Sequence, residues 1–322
     1  MKFNKKLFLT LLTGVILCTG TEFLWAGSGT KGYNFLTLGV GARPVGMGEA
    51  FVGVSDDVHA LVWNPAGLVK LKNPVFSMTH LEWVAQVKQE NFIWAIPIGK
   101  TQAIGGGINY LHTQMISNRD NVDNEEVFYF SDLALTLSYA RKLDRDLMAG
   151  VSVKLIREAI SVDSLSSLAV AFDAGLIVGL SDKFSLGLCA QNVGIGITAL
   201  KDNKDALPIT LRGGIGYKSF TGSRVIAFDV EKPLDGDFYL HSGAEFNQKR
   251  IFRGVLSERI GYVYRLGSGG NSWGFLSGLR AGFGFETAGG LQIDYAFQPF
   301  TSEIGYTHRV SLNLKFSARK RE

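Results

Sequence analysis

The sequence predicts an all-β fold, a transmembrane antiparallel β-barrel of about 14 strands with an N-terminal plug or hatch segment. Three observations predict it. From residue 75 onward apolar residues recur at period two, the signal of strands with two unlike faces. The polar face of these segments is mostly Gly, Ala and Ser with isolated charges, which suits a crowded lumen better than a sheet facing bulk water. The chain also opens on an export signal.

That signal is residues 1–26. Lys2, Lys5 and Lys6 precede an apolar run from Leu7 to Cys18, and the small residue Ala26 closes the segment, the layout of a secretory signal peptide rather than a membrane span. Its removal leaves 30 basic and 28 acidic residues. This balance argues against a nucleic-acid partner. Cys189 is then the only cysteine, which excludes an internal disulfide and a cysteine-type zinc site.

Residues 27–72 break the strand pattern. Ser55 followed by Asp56 and Asp57 reads as a helix cap with acids in the first turn, and Asn64-Pro65 reads as a turn before Ala66 and Gly67. Six glycines fall between residues 39 and 68. They do not form a dinucleotide fingerprint: Pro44 follows Gly39 and Gly41, and Phe51 follows Gly46 and Gly48, where a third glycine is required. A glycine-rich segment of short pieces ahead of the first strand is expected to fold back into the barrel, its glycines serving close packing against the wall.

Strands are expected near 75–83, 88–98, 101–112, 127–141, 147–157, 168–180, 184–192, 208–219, 224–231, 238–246, 257–265, 275–286, 291–298 and 306–316. In SDLALTLSYA, Leu133, Leu135, Leu137 and Tyr139 oppose Asp132, Ala134, Thr136 and Ser138. The lengths match the ~9–11 residues of a tilted spanning strand. Tyr110, Tyr129, Tyr139, Phe172, Phe184, Tyr217, Tyr239, Tyr264 and Tyr306 are placed at strand ends as interfacial girdles. Connections 141–146 and 181–183 are periplasmic turns, whereas 113–126, 158–167, 193–207 and 265–274 are the outer loops. The barrel is taken as 73–316, followed by a basic tail, 317–322, beyond Phe316.

Two stretches add a resemblance. GVGARPVGMGEAFVGVSDDVHALVWNPAGL (39–68) closely resembles the N-terminal signature of PorV/PorQ-type proteins, which belong with the FadL-like outer-membrane barrels. IDYAFQPFTSEIGYTHRVSLNLKF (293–316) is similar to that family's closing strands, with Thr307, His308 and Arg309 as the turn into the last strand. The resemblance implies a cell outer-membrane location, contact with outer-membrane lipids and the barrel insertion machinery, and a hatch containing Gly46, Met47, Gly48, Asp56, Asp57, Asn64, Pro65, Ala66 and Gly67. It implies a non-enzymatic function in a type IX-like secretion pathway, binding exported cargo proteins and handing them to other secretion-system proteins. The alternative it carries is a FadL-like channel for fatty acids or other hydrophobic small molecules.

Candidate functional residues divide by position. Lys154, Asp173, Arg212, Asp229 and Asp294 fall on the lumen face, where unpaired charge is costly and mutual pairing is expected. For the channel alternative a side exit would fall near Pro97 or at Gly105–Gly107, where pairing is easiest to interrupt, but tight strand packing against the plug is the favoured expectation there. Asp56, Asp57 and His59 offer metal-ligand chemistry, but a helix cap explains the acids without a metal. The five histidines show neither H-x-x-x-H nor H-E-x-x-H spacing, so neither a catalytic residue, a cofactor nor a metal is expected.

Overall fold

The computed structural model describes residues 32–113, 116–117, 127–161, 165–200, 204–267, 274–300 and 305–316. The expected signal segment and the basic tail lie outside the described residues.

Alternating apolar and polar residues leave each segment one stable arrangement, with its two faces in different media. The strands are β1 (Val75–Glu82), β2 (Lys88–Ile98), β3 (Gln102–His112), a two-residue pair β4 (Ile116–Ser117) and β5 (Val127–Phe128), β6 (Phe130–Lys142), β7 (Leu147–Ile160) and β8 (Leu165–Gly179). They continue as β9 (Phe184–Gly196), β10 (Thr210–Lys218), β11 (Arg224–Pro233), β12 (Phe238–Ile251), β13 (Gly254–Leu266), β14 (Leu279–Glu286), β15 (Leu291–Pro299) and β16 (Tyr306–Lys315). All but β4 and β5 form a closed barrel of 14 strands in which each pairs antiparallel with its neighbours in sequence. Closure comes from β1 against β16, in register from Val75↔Lys315 to Glu82↔His308. It removes the unpaired edges that an open sheet would expose.

Burial is inverted relative to a water-soluble protein. Every one of the 14 strands of the barrel carries a large apolar side chain exposed on its outer face, among them Leu137 at 61%, Ile195 at 73% and Phe283 at 54%. The inner face instead buries Asp173, Asp229, Arg259, Asp294 and Ser311. An outward apolar band around a polar interior is the arrangement that a bilayer stabilises.

The two ends differ. Turns 99–101, 143–146, 180–183, 219–223, 252–253 and 287–290 gather at one end, with Pro74 and Phe316. The longer connections, including 197–209 and 267–278, gather at the other. The strands β7, β8 and β9 run further than the alternation alone suggests, so the loop placed at 158–167 shrinks to 161–164.

Three details are corrected. Thr307, His308 and Arg309 lie within β16 rather than in a turn before it: Thr307 and Arg309 point inward, and His308 points outward to accept or donate a 2.6 Å hydrogen bond with the Tyr295 hydroxyl. Tyr239 shares the inward face of β12 with buried His241, and Phe172 sits mid-strand, so neither belongs to an end girdle. The β2–β3 and β3–β6 ladders run unbroken through Pro97 and Gly105–Gly107, so no side exit exists there. Gly105 and Gly107 face Leu61 of the inner segment, the packing favoured for them from sequence.

Candidate functional site in the barrel lumen

Residues 33–71 lie inside the barrel. Two short helices, Ala42–Gly46 and Ala60–Trp63, are joined by a run of largely buried turns and followed by a 3-10 stretch, Pro65–Lys70. Such short helices gain little from propensity and are held by what surrounds them. Tyr33 and Phe35 pack with Leu111, Ala134, Ile156 and Ala169 toward the long-loop end. Ala42 and Val45 pack on Ala296 of β15, and Leu61 and Leu68 pack with Ile93 and Ala95 of β2 and Ala103 of β3.

The wall admits this segment because it lacks side chains where the chain passes. Met47 and Gly48 press on Gly243 and Gly261, Val52 on Gly187, Asn64 on Gly175, and Pro65 and Ala66 on Gly150. At Gly175 an added Cβ would lie 2.1 Å from the Asn64 side-chain oxygen, closer than packed atoms allow. Gly48 is constrained twice, by φ of +64° and by the Ser242 carbonyl 2.4 Å from where a Cβ would stand. Gly46 approaches the Gly282 backbone, and Gly67 approaches the Ser55 carbonyl within the segment.

Polar groups lock the segment to the wall. The Asn64 amide donates to the carbonyls of Val52, Leu176 and Leu188 at 3.1, 3.2 and 3.3 Å, while its oxygen accepts from the Ala66 N–H and starts the 3-10 stretch. Asp229 accepts the N–H groups of Phe51 and Val52, both at 2.7 Å. Gln191 donates to the Val62 carbonyl at 2.6 Å. These bonds satisfy backbone groups that the segment, lacking a ladder of its own, would otherwise bury unpaired.

The largest network centres on Arg43. Its guanidinium donates to both oxygens of Glu245 on β12, at 2.7 and 3.0 Å, and to Asp56 and Asp57 at 2.7 and 2.9 Å. Glu245 also accepts from Arg259, which bonds Asp294 at 2.7 Å, and Lys218 reaches Asp56 at 2.6 Å. Asp56 and Asp57 therefore do not cap the following helix as expected. Their carboxylates are drawn to the buried guanidinium, and the helix starts later, at Ala60. Asp57 also accepts from the His59 N–H and meets its ring nitrogen at 3.1 Å, so both acids are fully engaged without a metal.

The sign of their titration follows. Burial alone would raise the Asp56 carboxyl, but Arg43 and Lys218 outweigh it; at Asp57, His59 and Arg43 do the same, and both lie well below the ordinary carboxylate range. A lowered folded-state pKa gives stability that is complete above the unfolded value, about 4, and is lost as the pH falls from there toward the lowered values. The stability gap between wild type and Asp56→Asn/Asp57→Asn should stay constant from pH 7 to about 5 and narrow below about 4. Denaturant unfolding in lipid vesicles reads this, and a gap that widens on acidification would contradict the arrangement.

The five lumen charges expected from sequence all point inward, but only Lys154 and Asp173 pair with each other, at 2.8 Å. Asn192 joins them at a bulge where the β8–β9 register shifts, with φ of +58°. Arg212 pairs with Glu231, which also meets His241 at 2.9 Å, and its guanidinium lies over the Trp63 ring at 4.8 Å. Asp229 binds backbone, and Asp294 binds Arg259. The residues not singled out from sequence, Arg43, Glu231, His241, Glu245 and Arg259, carry most of the network. All but Arg43 were legible as inward positions by counting in twos from Asp229 or Gly243. Replacing Arg212 with Ala should cost roughly 2 kcal/mol, below the usual loss for a broken buried pair because His241 keeps Glu231 partnered. The readout is a lower unfolding midpoint on heat-modifiability gels.

Two cavities, of about 510 and 310 Å³, open at the short-turn end. Across the middle of the barrel, the inner segment occupies the lumen.

Barrels of this shape are found among solved structures. The chain aligns with the Pseudomonas putida toluene transporter TodX at TM-score 0.61 and 12% identity, covering 87% of this chain and 99% of that one. It aligns with the monoaromatic hydrocarbon channel CymD at TM-score 0.61 and 14% identity, covering 87% and 98%. A Pseudomonas aeruginosa FadL homologue aligns at TM-score 0.55 and 11% identity, covering 86% and 98%. The fold is FadL-like. No protein-family model matches the chain, and no curated protein matches it in sequence. At these identities the FadL-like likeness is one of architecture.

Proposed function

We propose that this protein is a non-enzymatic outer-membrane channel for hydrophobic small molecules, closed at rest by residues 33–71 acting as a hatch. The observation that carries the reading is a lipid-facing barrel whose lumen is filled, across its middle, by a segment bonded to the wall. The FadL-like neighbours, two of them named as hydrocarbon channels, support it. The short-turn end then faces the periplasm and the long-loop end the exterior, as in barrels of this kind.

The PorV/PorQ resemblance, and the cargo-handling function in a type IX-like pathway that it implies, rests on the closing stretch 293–316 and on the N-terminal signature, residues 39–68. Those residues are almost wholly buried in the lumen, and each motif in them has a packing or bonding role against the wall. The signature therefore reports the hatch, and a cargo-binding surface would have to lie elsewhere.

One purification separates the two functions. The barrel is isolated from outer membranes, bound small molecules and co-purifying proteins are identified by mass spectrometry, and toluene uptake is measured in proteoliposomes. A stoichiometric hydrophobe and protein-dependent uptake support the channel. Recovery of exported proteins with secretion components and no uptake would replace it with cargo handling.

A further inference from the structure

The cavity of about 510 Å³ at the short-turn mouth has an unbalanced lining: Lys70, Lys72, Lys183, Lys218 and Lys315 stand against Asp56 and Asp182. The neighbouring cavity of 310 Å³ is balanced, with Arg43, Lys218, Arg259 and Lys315 against Asp56, Asp57, Glu245 and Glu286. The excess is thus local to one cavity. Two of its lysines are committed, Lys218 to Asp56 at 2.6 Å and Lys315 to Glu286 at 2.7 Å. Lys183 lies over the Phe220 ring at 4.4 Å. Lys70 donates to the Val54 carbonyl at 2.6 Å, and neither it nor Lys72 has an ion-pair partner among the described residues. The rest of the lining includes Val54, Leu71 and Val225, an apolar floor beneath the ammonium groups.

We infer that this cavity is a head-group site, taking a carboxylate or phosphate on its lysines and the attached apolar chain on Val54, Leu71 and Val225. Its size lies within the range of small-molecule sites. A neutral hydrocarbon would leave the ammonium groups beside apolar matter without a counter-charge, which costs free energy. An anionic head supplies the partner, through charge-assisted hydrogen bonds about twice as strong as neutral ones. Burial pushes the Lys70 ammonium down to about 8, a fall that Asp56 partly offsets and Lys218 and Arg43 add to, and it stays cationic at neutral pH. Placed at the periplasmic mouth, the site would hold an anionic amphiphile on its way past the hatch, a role that rests on the channel reading although binding does not.

The test is calorimetric titration of the full-length barrel in zwitterionic nanodiscs with octanoate, octyl phosphate, octanol and inorganic phosphate. Octanoate or octyl phosphate should bind at least about tenfold tighter than octanol and inorganic phosphate, and the better of the two identifies the head group. Lys70→Met/Lys72→Met should remove that preference while octanol binding stays unchanged. Should that pair perturb folding, as judged by heat-modifiability, Lys72→Gln and the loss of anion affinity with added salt provide the same readout. Equal affinity for octanol and octanoate, or an unaltered preference in the variants, would overturn the site. Uptake into proteoliposomes is scored separately, so binding without uptake would sink the channel and leave the site standing.

Discussion

Deleting residues 33–71 is expected to turn a closed barrel into an open pore, with single-channel conductance in planar bilayers rising roughly tenfold or more. The wall does not need the segment for closure, since all 14 strands pair with one another and β1 seals to β16 without it. The wall pairs Arg259–Glu245, Arg259–Asp294, Lys154–Asp173 and Arg212–Glu231 also survive the deletion. Asp229 loses the Phe51 and Val52 N–H groups, but water entering the emptied lumen replaces them. A deletion variant that inserts, shows the usual heat-modifiable migration and conducts no more than wild type would sink the hatch.

Replacing Arg43 with Met is expected to have the largest effect of any single change in the lumen, a loss of about 3 kcal/mol or more in unfolding free energy. Among the described residues the guanidinium is the one cation bonded to three carboxylates at once, Glu245 on the wall and Asp56 and Asp57 on the segment. Removing it leaves like charges facing each other in a buried space, while Arg259, Lys218 and His59 still offset part of the excess. Glu245→Gln added to Arg43→Met should therefore recover part of the loss, a positive coupling that a double-mutant cycle measures by urea unfolding in vesicles. Additive losses would show that Arg43 stabilises through packing on Phe51, whose ring lies 5.3 Å from its guanidinium carbon, rather than through charge.

The barrel was legible because its cause is local. Alternation sets each strand's faces, and β1, β2 and β12–β16 begin or end within a few residues of where the period predicts. Where the pattern misled, a neighbour decided. Tyr239 reads as a girdle residue by its position near a strand end, yet the parity it shares with His241 turns it inward. Asp56 and Asp57 read as a helix cap because the backbone N–H groups that follow are the nearest donors in sequence. Arg43 lies 13 and 14 residues back, and only the folded segment brings its stronger charge to them.

The sequence by itself determined an all-β chain with 14 barrel strands, a polar interior, and a separate glycine-rich piece ahead of them, because strand period and composition are written residue by residue. Only the tertiary structure decided which charges meet, since pairs such as Arg43–Glu245 and Asp229 with Phe51 join residues about 200 apart or across the lumen. It also decided what the glycines serve. A glycine in a strand is consistent with a bulge, a bend or a close approach, and the backbone passing Gly175, Gly243 and Gly261 selects the last.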